Sequence, residues 1–222
     1  MRNRLRQRTL QCPSEAGEDT EMDDAQQHVV NRLLHELRAG NREAFSELLP
    51  LAYDDLHDIA GRQRRQWNGE ETLDTTAVIH EAYLRLVDQS APPWESYPHF
   101  LAVASTAMRQ ILLDYAKRKH AVKRGGGYAR VPLQEIDAAL SGSATVGDAR
   151  SEALIALDDS LRRLAQRDER QSRIVECRFF GGMTIQDTAT ALGIAPATVG
   201  RGWQMAKAWL YRDLKKTIEE ST

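Results

Sequence analysis

From Val29 onward, apolar residues return every three or four positions in long runs, a period that predicts helices throughout. Val30, Leu33, Leu34 and Leu37 mark a first helix over 29–39, closed by Gly40 and Asn41. Ala44, Phe45, Leu48, Leu49, Ala52, Tyr53, Leu56, Ile59 and Ala60 mark a long second helix, with Pro50 inside it as the place for a kink. The stretch GRQRRQW at 61–67 is cationic, and Asn68 with Gly69 predicts a turn. Asp74 or Thr75 then caps a helix carrying Ala77, Val78, Ala82, Leu84, Leu86 and Val87, which ends in the SAPP stretch at 90–93. An aromatic-rich loop, WESYPHF at 94–100, leads into a long helix from Pro98 to Lys119. Its buried side is Phe100, Val103, Ala104, Ala107, Ile111 and Tyr115.

The pattern then lapses. Gly125, Gly126 and Gly127 release the chain from the helix, and 128–147 reads as a linker of extended and small polar residues. A second helical unit begins at Asp148, with Leu154, Leu157, Leu161 and Leu164 in one stripe and Ile174, Val175 and Phe179 after it. Gly181 and Gly182 break it. The last stretch, Thr184 to Leu214, reads as two helices joined by a tight turn. Ile185, Ala189 and Leu192 form the apolar stripe of the first, Gly193 leaves it, and Pro196 opens the second, where a missing N–H costs nothing. Val199, Trp203, Ala206, Leu210 and Leu214 share one side of that second helix. Ala197, Gly200, Arg201, Gln204, Ala208, Tyr211 and Arg212 share the other. Small residues for close approach, Arg and Gln for base edges, and later cations for phosphates suit a helix entering the DNA major groove.

Composition agrees with helix: 41% hydrophobic and 28% charged residues, and only 6% aromatics, in 222 residues. The expectation is an all-α protein of two helical units on a flexible linker. Residues 1–28 divide into a basic run (Arg2, Arg4, Arg6, Arg8) and an acidic one (Glu15 to Asp24), the composition of a disordered leader. The net charge of −2 announces no general nucleic-acid binder, but its distribution matters more. Lys117, Arg118, Lys119, Lys123, Arg124 and Arg130 follow one another with no acid after Asp114, one helix away from the aromatics. Cations for phosphates and rings for unstacked bases suit single-stranded DNA. Cys12 and Cys177 stand apart, without metal-ligand spacing, and read as reduced thiols of a cytoplasmic protein. His80 has no second His four residues on, so HEAYLRL is no zinc motif, and the glycine triplet has no Walker sequel. No catalytic constellation stands out, and the reading calls for no enzyme, metal or cofactor.

Together, TAVIHEAYLRLVD at 76–88, HFLAVASTAMRQILLDYAKRKHAVKRGGG at 99–127 and LGIAPATVGRGWQMAKAWLYRDL at 192–214 resemble the extracytoplasmic-function (ECF) type sigma factors of the sigma-70 family, in their ECF-like subfamily. The resemblance spans Val29 to Leu214. It implies that 29–127 is sigma region 2 and 148–222 the region 4 helix–turn–helix. Val78, Glu81, Ala82, Arg85 and Leu86 would dock on core polymerase at the β′ coiled coil, with the β flap as a further contact. Trp94, Tyr97, Phe100, Arg109, Lys117, Arg118, Lys119, Lys123 and Arg124 would open and read the −10 element. Ala197, Thr198, Gly200, Arg201, Gln204 and Arg212 would read the −35 element. Promoter DNA and RNA polymerase core are the implied partners, with room for an anti-sigma factor or other regulator. No membrane is implied, and the free protein is expected to be a monomer.

Two departures from the family pattern stand out. Ala195 replaces the usual capping Ser, and Gly200 and Gly202 both lie inside the recognition helix, at roughly 1 kcal/mol each relative to alanine. The competing reading is a stand-alone helix–turn–helix regulator of duplex DNA, which has no need of the basic-aromatic segment.

Overall fold

The computed structural model describes residues 24–67, 74–88, 94–124 and 148–220, and every regular element among them is a helix. The expected linker, 128–147, lies outside the described residues, as does most of the leader. Residues 24–28 of that leader are already helical: α1 runs Asp24–Arg38, opening on Ala25, Gln26 and Gln27, which all tolerate helix well. Gly40, at φ 93°, lies just past the end of α1, where Gly40 and Asn41 were expected to close it.

The long second helix is broken rather than kinked. α2 is Ala44–Leu51 and α3 is Tyr53–Trp67, with Ala52 between them at φ −97° and ψ 0°. Pro50 offers no N–H to the turn before it. The Ala52 N–H then divides between the carbonyls of Leu48 and Leu49, at 3.1 and 3.2 Å. α4 (Thr75–Asp88) and α5 (Tyr97–Arg124) complete the first unit. The second unit is α6 (Asp148–Arg167), α7 (Glu169–Val175), α8 (Ile185–Leu192) and α9 (Pro196–Glu220). Asp168 caps α7, accepting from the Gln171 N–H at 3.0 Å. α7 then widens into a π-helical turn, Glu176–Phe180, a rare form that re-aims the side chains it carries.

α5 is the axis of the molecule. Its 28 residues span about 42 Å. It packs on α3 and α4 from its own unit and on α6, α8 and the π-helical turn from the second. The apolar core is therefore continuous across both units: Leu33, Leu48, Phe100 and Ile111 belong to the same cluster as Leu154, Leu157, Leu161 and Phe180. This explains why α5 buries more than the expected side. Met108, Leu112, Leu113 and Ala116 are buried as well as Phe100, Ala104 and Ile111. The two units, expected on a flexible linker, lie against each other.

Candidate nucleic-acid interface

The helix–turn–helix is built as its residues suggest. Thr184 caps α8 and Asp187 reciprocates: the Asp187 N–H donates to Thr184 Oγ1 at 3.1 Å, and the Thr184 N–H to Asp187 Oδ2 at 3.3 Å. Gly193 closes α8 in the left-handed region at φ 63°. Ile194 returns to pack beside Ile174, Ala189 and Val199. α9 begins at Pro196, and Ala195 offers only its carbonyl, to the N–H groups of Thr198 and Val199. Val199, Ala206, Leu210 and Leu214 are buried, as their spacing predicts, and Trp203 is half-buried.

Ala197, Arg201, Gln204 and Arg212 are exposed on the opposite face, with Thr198 and Gly200 half-buried at its margins. The structure thus brings the expected −35 set onto one side of one helix. Towards the Thr198 margin of that side stands Met205, 60% exposed and outside the expected set. Its phase was the available signal: at 100° per residue it falls between Arg212 and Thr198. Arg178 and Lys207 flank the Trp203 ring at 6.0 and 5.2 Å from its centre. Arg178 also donates to the Met183 carbonyl, and burial lowers its pKa.

The aromatic segment is not a platform for bases in this structure. Trp94 stacks on Phe45 at 5.3 Å, and Phe100 meets Trp94 edge-on at 5.3 Å. The Tyr97 hydroxyl donates to Asp55 at 2.5 Å, and burial followed by that bond raises its pKa. All three rings are buried. Three rings within seven residues, beside Phe45 and Tyr83, make a better core than a wet surface.

Arg109 is likewise not turned to solvent. It is 5% exposed and donates from Nε and Nη2 to Glu176 at 3.0 and 2.7 Å, and from Nη1 to Asp158 at 2.7 Å. Burial alone would lower its pKa; the two carboxylates, Glu176 first, more than offset this and raise it. Its guanidinium also lies 5.1 Å from the centre of the Phe180 ring. Lys117 reaches the same Asp158 at 3.6 Å, while Arg118 is exposed. The side chains of Lys119, Lys123 and Arg124 lie outside the described residues.

On α4 the expected docking residues divide. Val78, Ala82 and Leu86 are buried and face the core. Arg85 is half-buried, paired with Glu81 at 3.2 Å and with Asp114 at 2.9 Å. The outward edge is instead Ala77, His80, Leu84 and Val87, with Leu84 60% exposed. α4 carries apolar residues on two faces, and periodicity alone cannot say which one the core takes.

Among the described residues no group of His, Cys, Asp and Glu could hold a metal, and no helix is long and apolar enough to cross a membrane. A family model described as ECF sigma factor matches residues 27–216. No curated protein sequence and no solved structure matches the chain.

Proposed function

The chain belongs to the ECF sigma factor family, and from that premise we propose how its parts divide the work of promoter recognition. Members of this family are non-enzymatic transcription-initiation factors whose partners are RNA polymerase core and promoter DNA. The second unit reads the −35 element as duplex, through the outer face of α9. The single observation that carries this is the shared exposure of Ala197, Arg201, Gln204 and Arg212 on a helix whose opposite side is buried. Arg201 and Gln204 suit base edges, Arg212 a phosphate, and the Met205 thioether an apolar contact such as a thymine methyl.

The first unit holds core polymerase and the −10 element. Docking falls to the outward edge of α4, where Leu84 and Val87 leave apolar surface uncovered beside His80, and where Glu81 and Arg85 reach the rim. This replaces Val78, Ala82 and Leu86 as contact residues; they hold α4 in place from behind. The −10 strand falls to α5 and its basic end, with Arg109, Lys117 and Arg118 as phosphate ligands. Trp94, Tyr97 and Phe100 form the packed base of the loop ahead of it. No chemistry on the protein's side is required: phosphate contacts supply affinity and a few base contacts supply choice.

Run-off transcription with purified core polymerase tests this. Wild-type protein should start transcripts at a defined site. Arg201→Ala should cut transcription from that promoter about tenfold or more while core binding is retained, the scale of losing one good base contact. Equal run-off from both proteins would remove Arg201 from the reading face. A tight, sequence-specific gel shift of duplex DNA without polymerase would favour the stand-alone regulator instead.

A further inference from the structure

The contact between the two units is built from charge as much as from apolar surface. On the first unit it presents Arg62, Gln63 and Arg109. Gln63 is fully buried and donates to the Ser105 carbonyl, the Ser105 hydroxyl and, across the boundary, the Phe180 carbonyl at 3.1 Å. Arg62 donates to the Gly181 carbonyl at 3.4 Å, against a corner only glycine fits. Gly182 sits at φ +65°, and a Cβ there would lie 1.1 Å from the Arg62 guanidinium. Arg109 is held by Asp158 from α6 and by Glu176 from the π-helical turn. Thr106, one turn before Arg109, adds a contact to Glu176 at 3.4 Å.

We infer that this is a self-masked state of the factor. The second unit covers the inner face of α5, and the carboxylates of Asp158 and Glu176 hold Arg109 where DNA phosphates otherwise would. The inference rests on the reading of α5 as the −10 segment.

Three features fit a contact made to open. A permanent interface is stronger with apolar residues than with a buried ion triad, whereas charges that can be resolvated suit a reversible one. The contact is imperfect: Gln63 Oε1 has no hydrogen-bond partner among the described residues. A cleft of about 550 Å³, lined by Arg85, His99, Gln110 and Arg173 among others, also stays between the units. The mask is selective, because the outer face of α9 remains exposed while α5 is covered. Opening requires a ligand that prefers the open form, which polymerase and the −10 strand both supply. Until then the apparent affinity for a single strand is reduced by the fraction of molecules that are open.

Cys177 reports on the boundary directly. It is buried in the π-helical turn beside Ala102 of α5, and burial, with Glu176 adding to it, pushes its thiol up to about 12. In a Cys12→Ser background, a chromogenic disulfide reagent should therefore label Cys177 faster when the units part. Asp158→Asn leaves Arg109 short of a carboxylate in the closed form alone, and Gln63→Leu removes the bond to Phe180 from the other side. Asp158→Asn should shift the balance toward open about a hundredfold, with labelling faster and binding of a −10 non-template oligonucleotide tighter by similar factors. Gln63→Leu should move both in the same direction by less. Unchanged labelling in both variants, with wild-type melting, would overturn the mask. Faster labelling with unchanged oligonucleotide affinity would overturn the assignment of α5 to the −10 strand, and the masking role with it. The Cys12→Ser chain with its boundary residues intact gives an answer that no folding defect at the boundary can obscure: adding core polymerase should expose Cys177, and undiminished protection would overturn the proposal.

Discussion

Single residues of α9 separate two kinds of glycine. Among the described residues a Cβ at Gly200 would meet nothing within 4 Å, so only helix entropy is at stake there. A Cβ at Gly202 would lie 2.6 Å from Cδ1 of the fully buried Ile174, so that glycine is where α9 comes close to α7. Both were expected to soften the helix, and only the first does so without return. Gly200→Ala should raise stability by about 1 kcal/mol, and Gly202→Ala should lower it by roughly 1–3 kcal/mol through overpacking. Urea melts of the two variants check the signs, and a gain at Gly202 would mean that Ile174 has room to turn aside. The glycine at 200 also borders the face proposed to meet DNA, so the extra methyl should show in promoter affinity as well as in the melt.

Among the elements, α4 carries the sharpest test. Leu84→Asp places a charge on its exposed edge and should weaken co-purification with core polymerase at least tenfold while leaving the melting curve within about 0.5 kcal/mol of wild type. Val78→Asp buries an unpaired carboxylate in the core that both units share and should unfold the protein outright. Undiminished core binding by Leu84→Asp would remove the exposed edge of α4 from the docking surface. α4 also shows what the sequence could and could not disclose. α8 and α9 were legible because their signals are local: a cap, a left-handed glycine, an initial proline, one apolar stripe. The phase of α4 was not, since Ala77, Leu84 and Val87 compete with Val78, Ala82 and Leu86 for the core. α5 held a clue in Met108, Ile111, Leu112, Leu113 and Ala116, which lie too far around the helix for one buried side. A lone arginine amid them had to face either a strand of DNA or a pair of acids far along the chain. Asp158 and Glu176 are 49 and 67 residues away, and no local period registers such a distance.

At the scale of the whole molecule, one core runs through both units, so they should unfold together. Calorimetry of the wild-type chain should give a single transition whose van't Hoff and calorimetric enthalpies agree. Two resolved transitions would show that the shared core contributes little. Asp158→Asn should pull the two apart toward separate transitions. The triad at Arg109 also imposes a genetic consequence. On the proposed reading one guanidinium serves two opposed ends, gripping the promoter strand when the molecule is open and bolting it shut, through Asp158 and Glu176, when it is not. Replacing it removes a contact and a restraint at once, and the two losses push transcription in opposite directions. A substitution there can therefore look mild while both functions are gone. Only in a background already freed by Asp158→Asn does the full defect of an Arg109 variant come into view, a dependence between sites that should hold the three residues to change together.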